Sequence, residues 1–416
     1  MRRVVVLVIL ALLPACAAGL PATPSRGGAR WVELTSEHFT VWTDAAPVRA
    51  RELVRKMEHL RHVVSRIAYP TSPTQGKSLV ILLRDDQELR AFDFRGEARA
   101  YASLAAPPLW QPVMVLSLTS GEDGDRLLAH ELTHVVSSGV IHEQPRWLAE
   151  GMAEFFETMQ LNDERTTVMV GAVPQVVALP SPQRARPVSI AQLFAWRGLS
   201  SYGREYALYA KAWALFAFLL NAHPNELAHY LWLIDRTGDP ANGALADQQQ
   251  RAWDAAFPAL SVATLDDALG QWLDEGSHMV LKFVVKRHHW PVAARWMTDA
   301  DVYAVRALML ADGTQQARQR EELVAALAAE PTNVLAWVVK VSLGDKLAVE
   351  DARAVAAAHP DDWRAWWLAT TALSEAQGDP VEVEYGRGKA CRLIEQNHAV
   401  VAPPWLCRPR LAPPPQ

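Results

Sequence analysis

Residues 130–151 read HELTHVVSSGVIHEQPRWLAEG, and the reading of the fold turns on whether their polar side chains are solvated or gathered. His130 and His134 stand at i and i+4, so on a helix both imidazoles leave one face about one turn apart. Leu127, Leu128, Leu132 and Val135 surround them with apolar groups, as on a helix that belongs to a core. Unpartnered histidines there are costly, so a shared partner is expected. Two imidazoles at this spacing reach one Zn2+ at about 2.0–2.1 Å each. Glu131 is rotated by about 100° from His130. It cannot crowd the same coordination position and is free to act as a general base on an attacking water.

A catalytic zinc takes three protein ligands and keeps a fourth position open. His142 and Glu150 are the candidates for the third. A metzincin needs HExxHxxGxxH, but Val140 stands where that pattern has its last histidine and Gly139 is misplaced, so His142 is assigned to a loop. Glu150 lies in PRWLAEGMAEFFE, and WLAEG closely resembles the WLxEG segment that supplies the glutamate ligand in gluzincins such as the aminopeptidase N-like family. With HELTH before it and the apolar helix YALYAKAWALFAFLL after it, the chain over roughly residues 31–276 resembles the peptidase MA-like and DUF1570-type zinc peptidase group.

That resemblance implies one Zn2+ per chain held by His130, His134 and Glu150, with Glu131 as general base. It implies an α+β chain with a zincin-like domain, a small mixed sheet carrying the active-site helices. The stretch between His134 and Glu150 is somewhat shorter than in the large gluzincin families, which implies a compact turn and costs little. Glu154, one turn past Glu150, matches the acidic residue that in thermolysin-like gluzincins hydrogen-bonds the far nitrogen of a zinc-ligand histidine. Glu143 and Glu157 are assigned to solvent. Peptide hydrolysis also needs a donor to the developing oxyanion. Tyr202, Tyr206 and Tyr209 share a helix face, and Tyr209 best matches the tyrosine that gluzincins place there. The GxMEN segment by which the aminopeptidase families bind a free amine is missing, so an endopeptidase is preferred.

The N-terminus carries an export signal: Arg2 and Arg3, then an apolar run from Val4 to Leu13 too short for a permanent membrane span. Leu13-Pro14-Ala15-Cys16 resembles the bacterial lipobox, which implies lipid on Cys16 and, with Ala17 following, the periplasmic face of the outer membrane. Ala15-Cys16-Ala17 also fits ordinary signal cleavage, which would discard Cys16; a cysteine directly after the apolar run favours lipidation. Residues 16–30, rich in Pro, Gly, Ala and Ser, are expected to be a flexible tether. Of 3 cysteines, Cys391 and Cys407 then remain as a pair. In an oxidising compartment their disulfide would close a loop of about 15 residues, worth roughly 3 kcal/mol on the chain-entropy model.

The 416-residue chain is long enough for two or three domains; 50% of it is hydrophobic and 21% charged, which is globular composition. Its formal net charge of -5, without a basic patch, argues against nucleic acid as a partner. HFTVWT and SLVILL (78–83) are expected strands, with a helix over 47–67 between them. PVMVLSL at 112–118 is another strand. Pro112 suits an edge strand, which in gluzincins would pair with extended substrate, or the first residue of a strand paired on both sides. Asp125 is placed to N-cap the HELTH helix.

The zincin-like region is assigned to residues 31–280 and an all-α helical-hairpin module to 281–416. AAEPTNVLAW (328–337) and AAHPDDWRAW (357–366) form a weak repeat at 29 residues, resembling tetratricopeptide repeats but short of their period of about 34. Two functions compete: an exported zinc peptidase whose helical module docks substrate or a partner, and a catalytically silent scaffold lipoprotein that binds a protein in the cell envelope. Glu131 favours the enzyme, because a general base is not a ligand and a relic site is free to lose it.

Overall fold

The computed structural model describes residues 20, 22–69, 77–92, 100–103, 109–118, 124–141, 144–162, 164, 166–174, 188–197, 202–235, 245–276, 279–285, 288–310, 315–396 and 406–407. The export signal and Cys16 lie outside them, as do His142 and Glu143. The architecture is mixed α+β, as expected. A hairpin of β1 (Val32–Thr35) and β2 (Phe39–Thr43) opens it, followed by α1 (Pro47–Ala68), β3 (Ser78–Leu83), α2 (Asp86–Phe92), β4 (Ala100–Ser103) and β5 (Val113–Ser117). With β9 (Ala293–Trp296) these strands form a six-stranded sheet in the order β4-β5-β3-β2-β1-β9. β2, β3 and β5 run parallel, and β1, β4 and β9 pair antiparallel to their neighbours.

The alternation of side chains divides this sheet between two cores. Val80 and Leu82 of β3 join Val41, Met114 and the apolar faces of α1 and the HELTH helix. Leu79, Ile81 and Leu83 join Trp31, Trp42 and the C-terminal helices on the other side. Coverage of both faces explains why SLVILL is apolar throughout rather than alternating.

The C-terminal helices therefore form the third layer of a helix–sheet–helix stack. They are α10 (Asp299–Met309), α11 (Gln316–Ala329), α12 (Val334–Ser342), α13 (Val349–Ala358), α14 (Trp363–Glu375) and α15 (Pro380–Gln396), numbered after α3 to α8, introduced below, and α9 (Val262–Glu275). The packing does not divide at 280/281. The chain beyond that point returns β9 to the main sheet, and β8 (Leu281–Val284) completes a small sheet with β6 (Gln160–Leu161) and β7 (Thr167–Val170).

The weak repeat has a structural counterpart. Asn333 caps α12 by accepting from the Ala336 N–H at 3.0 Å, and Asp362 caps α14 by accepting from the Arg364 N–H at 2.9 Å. Trp337 and Trp366 each donate an indole N–H to the carbonyl of the proline opening their copy, Pro331 at 2.8 Å and Pro360 at 2.9 Å. Cys391 and Cys407 are joined by a disulfide, with Cα atoms 5.6 Å apart.

Three expectations change. The tether is packed where it is described: over 22–30 the chain makes a 3-10 turn, Pro24–Arg26, and Thr23 is fully buried. Ser25 donates to Asp299 on α10, and the Arg30 guanidinium lies 3.9 Å from the Trp296 ring centroid. Composition suggested a spacer, but α10 and β9 supply a surface for its few polar anchors. β5 is an interior strand, paired with β3 on one side and β4 on the other, so its N–H groups offer no edge to a substrate. Asp125 falls inside the first turn of its helix, which begins at Gly124, and pairs with Lys56 of α1. No helix among the described residues is long and apolar enough to cross a membrane.

Candidate metal centre

Two helices carry the site: α3 (Gly124–Ser138), holding HELTH, and α4 (Arg146–Phe156), holding WLAEG. Leu128, Leu132, Val135 and Val136 seat α3 in the first core. α4 is anchored by Trp147, 2% exposed, whose ring stacks on Phe194 at 5.5 Å and Tyr230 at 6.0 Å and meets Trp253 edge-on at 6.3 Å. These partners come from α5 (Ile190–Phe194), α7 (Pro224–Asp235) and α8 (Leu245–Ala256). Such aromatic packing fixes the helix on which Glu150 rides, three residues on.

Gly151 brings α4 against the next long helix, α6 (Tyr202–Ala222). A Cβ at position 151 would stand 2.5 Å from the Ala212 carbonyl oxygen and 3.0 Å from its carbon. Since backbone rather than a flexible side chain is in the way, Gly151→Ala is expected to destabilise by about 1–3 kcal/mol. Denaturant unfolding measures this; an unchanged midpoint would mean that α6 yields freely.

α3 and α4 run antiparallel, and their facing residues pair in order. His134 Nε2 lies 3.3 Å from Glu150 Oε2, His130 Nε2 lies 3.6 Å from the same oxygen, and the two ring nitrogens are 3.2 Å apart. A tetrahedron with bonds of about 2.0–2.1 Å has edges of about 3.3–3.4 Å. Three donors, two imidazoles and a carboxylate, thus already span one face of a zinc-sized tetrahedron, and the residues fit the metal. All three are partly buried.

The other side of His130 is acidic. Its Nδ1 lies 3.5 Å from Glu157 Oε2 and 4.0 Å from Glu154 Oε1. Glu157, assigned to solvent from sequence, is therefore a site residue: it caps the C-terminus of α4, is largely buried and accepts from Arg126 Nη2 at 2.9 Å. Residues 150, 154 and 157 are i, i+4 and i+7 on one helix face, so the acidic stripe runs one turn further than the motif comparison carried it. Arg126 mirrors it, one turn before His130. At 4.0 Å Glu154 is too far for a hydrogen bond to His130 Nδ1, and Glu157 is the nearer carboxylate.

Electrostatics separate the three carboxylates. Burial, with the charges of Glu157 and Glu150 adding to it and His130 opposing, pushes Glu154 up to about 8, so near neutral pH it is mostly protonated. Burial also works against ionised Glu150 and Glu157, but hydrogen bonds overcome it: His130 and His134 hold Glu150 well below the usual carboxylate range, and His130 and Arg126 lower Glu157. The same acids outweigh desolvation at His130 and raise it well above an ordinary histidine. Metal must displace that proton, so metal uptake near neutral pH releases protons.

Glu131 follows His130 on α3 and is partly buried, outside the donor triad. Tyr209 of α6 reaches the rim of the cluster. Its ring meets Trp196 edge-on at 5.2 Å, and its hydroxyl, raised above the usual phenol range by burial and by the Glu150 charge, hydrogen-bonds Arg146. Arg146 itself, Nε 3.5 Å from Glu150 Oε1, was not singled out in the sequence, although it lies one turn before Glu150. The Tyr202 side chain lies outside the described residues; Tyr206 is partly buried.

Comparison with curated proteins finds no match to this chain. Residues 128–237, which run from α3 through α7 and contain His130, Glu131, His134, Arg146, Glu150, Glu157 and Tyr209, match the family described as "Protein of unknown function (DUF1570)".

Proposed function

We propose that the chain is a zinc-dependent peptidase of zincin-like architecture, exported and anchored through lipid on Cys16 to the periplasmic face of the outer membrane. The observation that carries this reading is the donor triad, with His130 Nε2, His134 Nε2 and Glu150 Oε2 at 3.2–3.6 Å from one another. When bound, zinc supplies Lewis acidity, polarising a carbonyl and making water acidic near neutral pH.

The remaining work belongs to the protein. Glu131 takes the proton of the attacking water on its carboxylate and returns it to the leaving amine. Glu157, braced by Arg126, holds the His130 proton at Nδ1 and so turns the Nε2 lone pair toward the other two donors. Tyr209 keeps its hydroxyl proton throughout the working range and donates toward the oxyanion. Glu154, buried beside His130 Nδ1, fills the space behind that ring. The preferred reaction is endopeptidase cleavage, with the C-terminal helices docking a substrate or partner.

The purified mature protein is expected to contain about one Zn2+ per chain. It should cleave members of a peptide library, lose that activity to a chelator and regain it with zinc. A protein that takes up no metal on reconstitution, or whose cleavage ignores the chelator, excludes this reading. One that binds zinc and cleaves nothing points instead to a silent scaffold lipoprotein.

A further inference from the structure

Arg146 has no part in the chemistry above, yet its surroundings are specific. It opens α4 one turn before Glu150, and its Nε faces Glu150 Oε1 at 3.5 Å. That oxygen is the one turned from the histidines, which both face Oε2. Nε is buried and has no hydrogen-bond partner. The guanidinium lies over the Trp196 ring at 4.6 Å; Trp196 is only 5% exposed and also meets Tyr209 edge-on. An arginine stacked in this way is a planar donor whose direction is largely set by the ring beneath it.

We propose that Arg146 is a positioning residue that captures Glu150 Oε1, so that the carboxylate offers the metal one oxygen and not two. This rests on the metal-binding part of the proposed function and not on peptidase activity. A carboxylate is able to ligate through one or both oxygens. In a site with three protein donors, a second oxygen from Glu150 would occupy the position that catalysis needs open. Two features of Arg146 suit it to prevent this. Its charge-assisted pairing competes for Oε1, and the Trp196–Tyr209 platform keeps its side chain from following Glu150 toward the histidines. One face of α4 thus presents both the ligand and its restraint, at i+4 and i.

The test uses the full mature protein loaded with Co2+ in place of Zn2+, because the visible absorption of Co2+ is intense in four-coordinate sites and weak in sites of higher coordination. Arg146→Ala is expected to keep one metal per chain and to lose at least about twofold in molar visible absorbance, as Glu150 Oε1 joins the coordination sphere. Trp196→Leu, which leaves Arg146 in place but removes its platform, should shift the spectrum the same way by less, and stands in if Arg146→Ala does not fold. With zinc, kcat should fall about 10- to 100-fold while KM holds.

Spectra of both variants superimposable on wild type would overturn the proposal. So would an unchanged spectrum with a raised KM, which would assign Arg146 to substrate contact. A wild-type protein that binds neither metal removes the proposal together with the metal reading, whereas one that binds Co2+ but cleaves nothing leaves the spectroscopic test intact.

Discussion

Glu131→Gln is expected to keep the fold and the zinc and to lose peptidase activity by several orders of magnitude. The substitution preserves size and removes only the ability to accept a proton. Glu131 lies outside the triad of donor atoms, so metal content should remain at the wild-type value. General base catalysis is typically worth about 10^2- to 10^4-fold, and no other carboxylate in the cluster is free to replace Glu131. Glu150 is engaged with both histidines, Glu157 with His130 and Arg126, and Glu154 is buried behind the His130 ring. Measured kcat/KM beside zinc content and circular dichroism separates the outcomes. A variant with wild-type kcat and full zinc would exclude Glu131 as the base, and loss of zinc would show that it supports the ligands instead.

Spacing alone makes the shared face of His130 and His134 legible, because they stand at a helical interval on an apolar background. Glu150 as their partner is implied only by the resemblance of WLAEG to a known motif, and the structure brings it beside both histidines. The same logic should have reached Glu157 and Arg126, which continue the two facing stripes by one more turn. Glu157 reads as solvated and Arg126 goes unmarked because the motif resemblance ends at Glu154. Gly151 is a different case. Its need is set by the Ala212 carbonyl of α6, far along the chain, and nothing local announces a close backbone approach.

The sheet was legible where strands are buried on both faces, as in SLVILL, and opaque where they are short. β4 and β9 are four-residue strands whose register comes from their partners rather than their own pattern. Missing them made β5 a candidate edge and put a domain boundary where the chain in fact rejoins the sheet. The Pro–Trp repeat, by contrast, survives as the same indole-to-carbonyl hydrogen bond in both copies, although its spacing is not that of a tetratricopeptide repeat.

Glu150→Ala is expected to release most of the zinc. Losing the orienting partner of a ligand typically costs about 10- to 100-fold in metal affinity, so losing the only carboxylate of the donor triad should cost more than about 100-fold. Competition with a chelator of known affinity reads this directly. His142→Ala is the control, since the metzincin spacing that would make His142 a ligand is absent; it should bind zinc as wild type does. The reverse pattern would move the third ligand to His142 and dissolve the pairing of α3 with α4 on which the site is built. Glu150→Ala should also weaken the metal-free protein, for a separate reason. Its folded-state pKa is depressed because His130 and His134 hydrogen-bond the carboxylate. That contribution is present above the ordinary carboxylate range and is lost as pH falls through the depressed folded value. Metal-free wild type should therefore exceed metal-free Glu150→Ala in stability near neutral pH, with the gap narrowing in strong acid as Glu150 protonates and again in alkali as pH rises through the raised His130 value. A gap that stays constant with pH would assign the loss to packing on α4 rather than to the charge.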